Sequence, residues 1–379
     1  MIFVKIILWG VSLYYLGTLI WFITGLKKYK LPVFDFKNPL SVSVIVAVRN
    51  GEISLQNLFS DLEYQDYPGQ VEFIFVDDES TDDTALLIQN QSKKDSRFRF
   101  SSSKVGSSLL SHKKKALDAG ISTSTGEVIL FTDVDCKVKS GWVSAMVSYF
   151  QNGADYVIGY SETLTDSSMV SSFQSTDFLM LMLASLGSTN NGNAWASTGQ
   201  NQGFTRKLFD EVGGYDSICE CLQGDDSLFL QVCRNIKKPR VAFSLLSDSF
   251  VVGRTENCWN SFIKQRMRWA GDARLMWKYN PVFFLSILST FSYNLLLILF
   301  LLLSVKAPYF FGVFFILFSL KFVLEYILFR NGSTIFIQRA GIHKFVLWFL
   351  IQIPYIIYMG IGSFWSSQLS WRGRKRSFK

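Results

Sequence analysis

The sequence predicts an α/β domain with a mostly parallel sheet, set among apolar segments long enough to cross a membrane. Three observations predict it. Between residues 38 and 280, short β-branched and aromatic runs alternate with polar, helix-like stretches. On either side of that region lie long apolar runs. The composition, 49% hydrophobic with 35 phenylalanines, is heavier than a soluble core requires.

The elements follow in order. Residues 6–26, IILWGVSLYYLGTLIWFITGL, span a bilayer's apolar thickness. A cleaved signal peptide fits poorly, because no A-x-A-like site follows and the run ends in KKYK. More positive charge follows this helix than precedes it, which places the next segment in the cytoplasm. SVSVIVAV (41–48), VEFIFVD (71–77), the stretch around RFRF (97–100) and EVILFTD (127–133) read as strands. Residues 53–64 and 82–94 between them read as helices, the second with Ser80 and Asp83 as an approximate capping box. Beyond Pro281 come three more span candidates, 282–305, 309–329 and 345–365. Pro354 and the glycines near 360 mark the last as the one that re-enters or lies at the interface. The expected divisions are an anchor over 1–30, a globular domain over 38–280, and a membrane region with a basic tail over 281–379.

Charge and cysteine usage narrow the class. The net charge of +8 collects at Lys27, Lys28 and Lys30, at residues 113–115, and at Arg372, Arg374, Lys375 and Arg376. Two of these clusters flank apolar runs, so they read as juxtamembrane anchors, and no nucleic-acid-binding motif accompanies them. The five cysteines lack zinc-site spacing, and Cys219 and Cys221 stand too close for a C-x-x-C pair. Reduced thiols facing the cytoplasm fit them best.

By itself, ILFTDVDCK (129–137) is a strand running out into an acidic turn. It is one of a series. Asp77 and Asp78 end the strand in FIFVDDESTDDT, Asp133 and Asp135 follow, Asp225 and Asp226 stand in CLQGDDSLF, and QRMRW (265–269) comes before the membrane region. Acidic strand ends lie where the ligands of parallel sheets bind.

This series resembles the membrane-bound branch of the family 2 glycosyltransferases, which includes cellulose synthase, hyaluronan synthase and ceramide glucosyltransferase. Its D, D-x-D, [TG]-[ED]-D and Q-x-x-R-W motifs are all matched between residues 40 and 275. VIVAVRNGE (44–52), SHKKKALDAGI (111–121) and TGQNQGFTRKLFDEVGGYD (198–216) match its supporting stretches. There are departures: no proline follows the first strand, His112 replaces a glycine before Lys113, and the acceptor motif reads GDD rather than TED. The resemblance implies a GT-A fold, which is Rossmann-like, and an inverting, metal-dependent sugar transferase.

It also implies roles. Asp135 is the direct ligand of Mg²⁺ or Mn²⁺, with Asp133 nearer the ribose or the ion shell; carboxylates two apart on an extended chain share a face. Asp77 or Asp78 accepts a hydrogen bond from the base, for which a uracil imide is suited, so a UDP-sugar is favoured. Lys113 helps hold the nucleotide, the competing reading being a solvated basic face. Asp226 is the general base on the acceptor hydroxyl, with Asp225 orienting it. Gln200 and Asn201 fall in the acceptor pocket. Gln265, Arg268 and Trp269 share one helix face, where Arg268 can grip phosphate and Trp269 can floor a sugar ring, although the segment also reads as an interfacial helix. The expected acceptor is a lipid or lipid-linked glycan at the cytoplasmic face of a cell membrane. Four apolar segments are few for extruding a polymer. A processive polysaccharide synthase is the alternative, and a non-catalytic nucleotide-sugar-binding subunit of an envelope assembly the second.

Overall fold

The structure is a computed structural model that describes residues 2–221, 223–273, 275–336 and 341–363, with residues 2–7 and 272 described by backbone alone. The expected basic tail at 372–376 and the last two residues of the third C-terminal run lie outside the described residues. In chain order the elements begin α1 (Ile2–Gly25), β1 (Val42–Val48), α2 (Glu52–Glu63), β2 (Val71–Asp77), α3 (Thr84–Lys94) and β3 (Phe98–Ser102). Next come α4 (His112–Thr123), β4 (Val128–Phe131), α5 (Trp142–Gln151), β5 (Tyr156–Gly159), β6 (Ser161–Thr163) and α6 (Met169–Asn190). Then follow β7 (Gln202–Thr205), α7 (Arg206–Glu211), α8 (Ser227–Ile236), β8 (Val241–Ser244) and β9 (Val251–Gly253). The chain continues through α9 (Trp259–Ala273), α10 (Met276–Tyr279), α11 (Pro281–Leu303), α12 (Tyr309–Ile335) and α13 (Ile342–Gly362).

These elements form two units. One comprises Lys30–Leu164 and Ala194–Thr255; the other takes the chain up to Tyr29, Thr165–Asn193, and everything from Glu256. The single block expected over 38–280 is therefore split, because α6 and α9 cluster with the apolar helices rather than with the sheet.

The first unit is built on a seven-stranded sheet of order β3-β2-β1-β4-β7-β5-β8. The first four strands are parallel, and β7 runs antiparallel to both β4 and β5. The parallel strands read as unbroken apolar runs because helices cover both of their faces. Val44, Val46, Phe73, Phe75, Val128 and Leu130 face α2 and α5 in one core, while Ile45 and Val76 approach α4 at Gly120. Register fixes what gathers at the carboxyl edge. Val48 lies opposite Asp77, and Ile45 opposite Phe131, so Asp77 and Asp133 leave the sheet at one end. Gln202 lies opposite Phe131, which starts β7 at that same end and brings residues 199–201 beside it. The expected capping box is absent: α3 begins at Thr84, and Asp83 makes no side-chain cap. The Ser80 hydroxyl instead accepts from Asn50 N–H, and Thr81 N–H donates to the Asn50 side chain, stapling the β1–α2 and β2–α3 loops together.

In the second unit, α1 packs on α6, α11 and α12, and α13 packs on α6, α9 and α11. Among the described residues five helices are long and apolar enough to cross a membrane: α1 from Leu8, α6, α11, α12 and α13. The expected spans numbered four, or three with the last run re-entrant. α6 escaped because its mean hydropathy is only 1.2, with Gln174 and Asp177 on a largely buried surface. α13 runs as one helix through Pro354, since a single missing donor is tolerable within packed helices. Between α1, α12 and α13 sits a buried polar cluster. Tyr15 Oη and Lys321 Nζ each donate to Glu325 at 2.6 Å, and Gln352 Nε2 reaches both of its oxygens at 2.9 and 3.0 Å. Lys321 has no exposed surface and is paired with Glu325, as ionisable groups within apolar helices are.

Candidate active site

The site of the first unit is a ring of carboxylates around one ammonium. Lys113, in the first turn of α4, places Nζ 2.9 Å from Asp133 Oδ1 and 3.3 Å from Asp225 Oδ2. A Cβ at Gly199 would come within 3.1 Å of both Lys113 Nζ and Asp225, so glycine permits this close approach. Asp226 completes the ring: its Oδ2 accepts from Gly199 N–H at 3.2 Å, and its Oδ1 accepts from Ser227 N–H as the cap of α8. The fold thus joins the D-x-D turn, the GDD turn and the TGQN loop, which sequence could only set in a series.

The loops are held from below. Gln202 Nε2 donates to Asp225 O at 2.9 Å, while its Oε1 accepts from Tyr156 and Ser197. Ser227 and Ser197 exchange two further bonds at 3.0 Å. Lys114 is fully buried and donates to the carbonyls of Ile218 and Cys221, clamping the segment that leads into GDD. No pattern in the sequence separates it from Lys113 and Lys115. Gly224 adopts φ +106°, the conformation that admits glycine at this position of the motif.

Electrostatics separates the two acceptor-side carboxylates. Burial first, and the adjacent Asp225 second, push the Asp226 carboxyl up to about 6, against the Ser227 N–H, Lys113 and the Gly199 N–H. Asp225 is buried and ion-paired to Lys113. Burial also raises Asp133, with Asp135 and Asp225 adding to it and Lys113 opposing. Burial pulls the Lys113 ammonium down, but Asp133, Asp225 and Asp226 outweigh it and the net shift is upward.

The remaining sequence candidates sort by position. Asp77 is half-buried and accepts from Ser80 N–H at 3.2 Å; Asp78 is buried, its backbone N–H bonded to Val48 O. Asn201 is completely buried. Its amide accepts from Trp142 Nε1 and donates to the carbonyls of Tyr160 and Ser249, so it pins the loop rather than facing a ligand. Gln200 packs against Gly253. Gln265, Arg268 and Trp269 lie on α9 in the second unit, where Gln265 Nε2 donates to Glu256 at 3.2 Å and Trp269 is 38% exposed. The residue between them that sequence reasoning passed over is Arg266. Its guanidinium is buried, 3.1 Å from Asp177 of α6 and 4.1 Å from the centre of the Trp269 ring. Asp177 in turn accepts from Trp348 of α13 at 3.3 Å.

His112 explains one of the departures noted above. It stands at φ +54°, a left-handed conformation that glycine adopts freely and histidine tolerates better than most residues. His112→Gly is therefore expected to be neutral to stabilising by at most ~1 kcal/mol, whereas His112→Val destabilises. Thermal unfolding of the two variants checks the order.

Asp135 is half-buried and lines a cleft of about 340 Å³ with Ser54, Asn57, Lys137, Leu164 and Arg254. Among the described residues no group of three or more His, Cys, Asp or Glu side chains gathers as a metal cage. A divalent ion here would take Asp135 and Asp133, both hard oxygen donors, and keep its other positions for phosphate oxygens and water, which suits Mg²⁺ or Mn²⁺.

Comparison with known proteins agrees with this geometry. Residues 43–213 match the family model "Glycosyl transferase family 2". The chain is 31% identical over 118 residues to the Campylobacter jejuni GalNAc(5)-diNAcBac-PP-undecaprenol beta-1,3-glucosyltransferase, a match covering 31% of this chain and only 37% of that protein. The mannosyltransferase PcManGT of Pyrobaculum calidifontis, solved with GDP-Man and Mn²⁺, superposes with a TM-score of 0.57 at 16% identity, over 95% of this chain and 99% of that one. Residues 43–213 thus match a family 2 glycosyltransferase domain, on a GT-A fold.

Proposed function

We propose that this protein transfers a sugar from a nucleotide-diphosphate sugar, with a UDP-sugar favoured, to a lipid or lipid-linked acceptor at the cytoplasmic face of a membrane, inverting the anomeric centre to give a β-glycoside. The observation that carries the reading is the convergence of Asp133, Asp225 and Asp226 on Lys113, with the Asp226 carboxyl pushed up to about 6. A general base works best with a pKa near the operating pH, and about 6 leaves Asp226 ionised at neutrality yet basic enough to accept a hydroxyl proton. Asp225, held by Lys113, orients rather than accepts. Asp77, at the end of β2, would receive a base N–H. Two further points support the reading. The C. jejuni relative is named for a lipid-diphosphate acceptor, and the five membrane-length helices among the described residues suit an acceptor held in a membrane.

Asp133 and Asp135 would hold Mg²⁺ or Mn²⁺, whose charge offsets that of the leaving diphosphate when bound. Asp135→Ala is expected to abolish turnover and to remove Mn²⁺ binding seen by calorimetry on the apo protein, while circular dichroism stays unchanged. Persistence of activity after EDTA treatment would refute the metal role. The reading as a whole is tested by UDP release from a panel of UDP-sugars, with the labelled product recovered by lipid extraction. A ladder of long chains would instead establish the processive alternative.

A further inference from the structure

We propose that the cleft beside Asp135 binds a phosphate or diphosphate group carried by the acceptor, through Lys137 and Arg254. The inference rests on the sugar-transfer reading and names the chemical class of its second substrate, an anionic phosphate-bearing molecule.

The cleft is built where two strands meet. Lys137 and Val252 exchange backbone bonds at 2.9 and 3.0 Å, so the end of the D-x-D turn and the end of β9 lie side by side. Leu164 N–H closes the third wall onto Gly253 O at 2.8 Å. This arrangement brings Lys137 and Arg254 to one opening of about 340 Å³, with Ser54 and Asn57 of α2 lining it. Among the described residues neither cation's side chain has a hydrogen bond or an ion pair. Lys137 influences Asp61 only through space, and the Asp61 carboxylate already accepts from Val138 N–H. Two such cations beside a pocket with hydroxyl and amide donors form a receptor for an oxyanion, and the arginine fork matches phosphate geometry.

The acceptor, rather than the nucleotide, is indicated by what the cleft adjoins. Neither Asp77 nor Asp78, the base-side carboxylates, lines it; of the D-x-D pair Asp135 stands at its edge and Asp133 does not line it. Its Gly253 wall touches Gln200, and a Cβ there would meet the Gln200 amide at 3.0 Å. The residue before Gln200, Gly199, donates its N–H to Asp226. A short path therefore runs from the proposed base, through Gly199 and Gln200, to the cationic cleft.

The test uses the full chain in detergent, with farnesyl diphosphate as the probe and farnesol as its uncharged control. Farnesyl diphosphate is expected to bind, farnesol to bind at least tenfold more weakly, and the Lys137→Ala/Arg254→Ala double variant to lose on the order of tenfold or more in affinity for the diphosphate. A Lys137→Arg/Arg254→Lys variant, which keeps both charges, is expected to restore most of it and controls for folding. Saturating UDP should leave the binding unchanged. Displacement by UDP would assign the cations to the donor's own diphosphate and overturn the proposal, as would equal binding by wild type and the alanine variant. Hydrolysis of UDP-sugar is followed separately: its absence, with diphosphate binding intact, would defeat the sugar-transfer reading while leaving the anion site standing.

Discussion

Asp226→Asn is expected to lower kcat by about 10³-fold, within the range attributed to a positioned general base, while leaving UDP-sugar binding and the fold in place. The substitution is nearly isosteric, and the amide oxygen can still accept from Ser227 or Gly199 N–H. What it removes is the proton acceptor. The pH dependence carries a sharper mark. Asp226 titrates near 6 because burial and Asp225 disfavour its charged form. A base must be deprotonated to act, so kcat/KM falls as pH drops through about 6 and is flat above it. In the Asn variant the residual rate loses that acidic limb. Asp225→Asn is expected to cost less, since Asp225 acts through its ion pair with Lys113. An Asp226→Asn enzyme with wild-type kcat and an unchanged limb would remove Asp226 from the chemistry.

Lys113→Met is the second large effect. Among the described residues the Lys113 ammonium is the cation paired with Asp133 and Asp225, and it also acts on Asp226. Removing it leaves three carboxylates turned toward one another. Breaking a fully buried pair costs ~3–5 kcal/mol; here 23% of the lysine and 29% of Asp133 remain exposed, so about 2 kcal/mol is expected. Turnover should fall by about 10²-fold or more, because Asp133 and Asp225 lose the contact that sets their separation. The carboxylates of the variant should also protonate more readily, which moves the acidic limb to higher pH. Because Mn²⁺ can replace the missing countercharge, it should stabilise the variant against heat more than it stabilises wild type. Equal thermal shifts in the two proteins would show that Lys113 is not the local countercharge.

The parts of this account legible in the sequence are those with strong local signals. β1, β2 and β4 were readable because strands buried on both faces are continuous apolar runs. The carboxylates were readable because each ends such a run or opens a turn. What escaped depends on tertiary placement. α6 carries Gln174 and Asp177 on buried surface, satisfied by Glu256 and by Arg266 with Trp348, and such partners are invisible to hydropathy. Asn201 and Gln200 are neighbours of like chemistry, yet the chain turns one inward to three structural bonds and the other toward Gly253. Lys114 differs from Lys113 only in the direction α4 gives it. His112 and Gly224 are the converse case: their backbone angles, φ +54° and +106°, give departures from the family pattern a conformational reason.

The central claim is a single displacement at the anomeric carbon, with Asp226 taking the acceptor proton on the face opposite the diphosphate. Its most direct test is the configuration of the new bond. Purified full-length protein is given an α-linked, isotopically labelled UDP-sugar with Mn²⁺ and membrane lipid, and the lipid-extractable product is read by the anomeric proton coupling in NMR. A β-linked product, absent with Asp226→Asn, is the expected result. An α-linked product would contradict the displacement and the role given to Asp226.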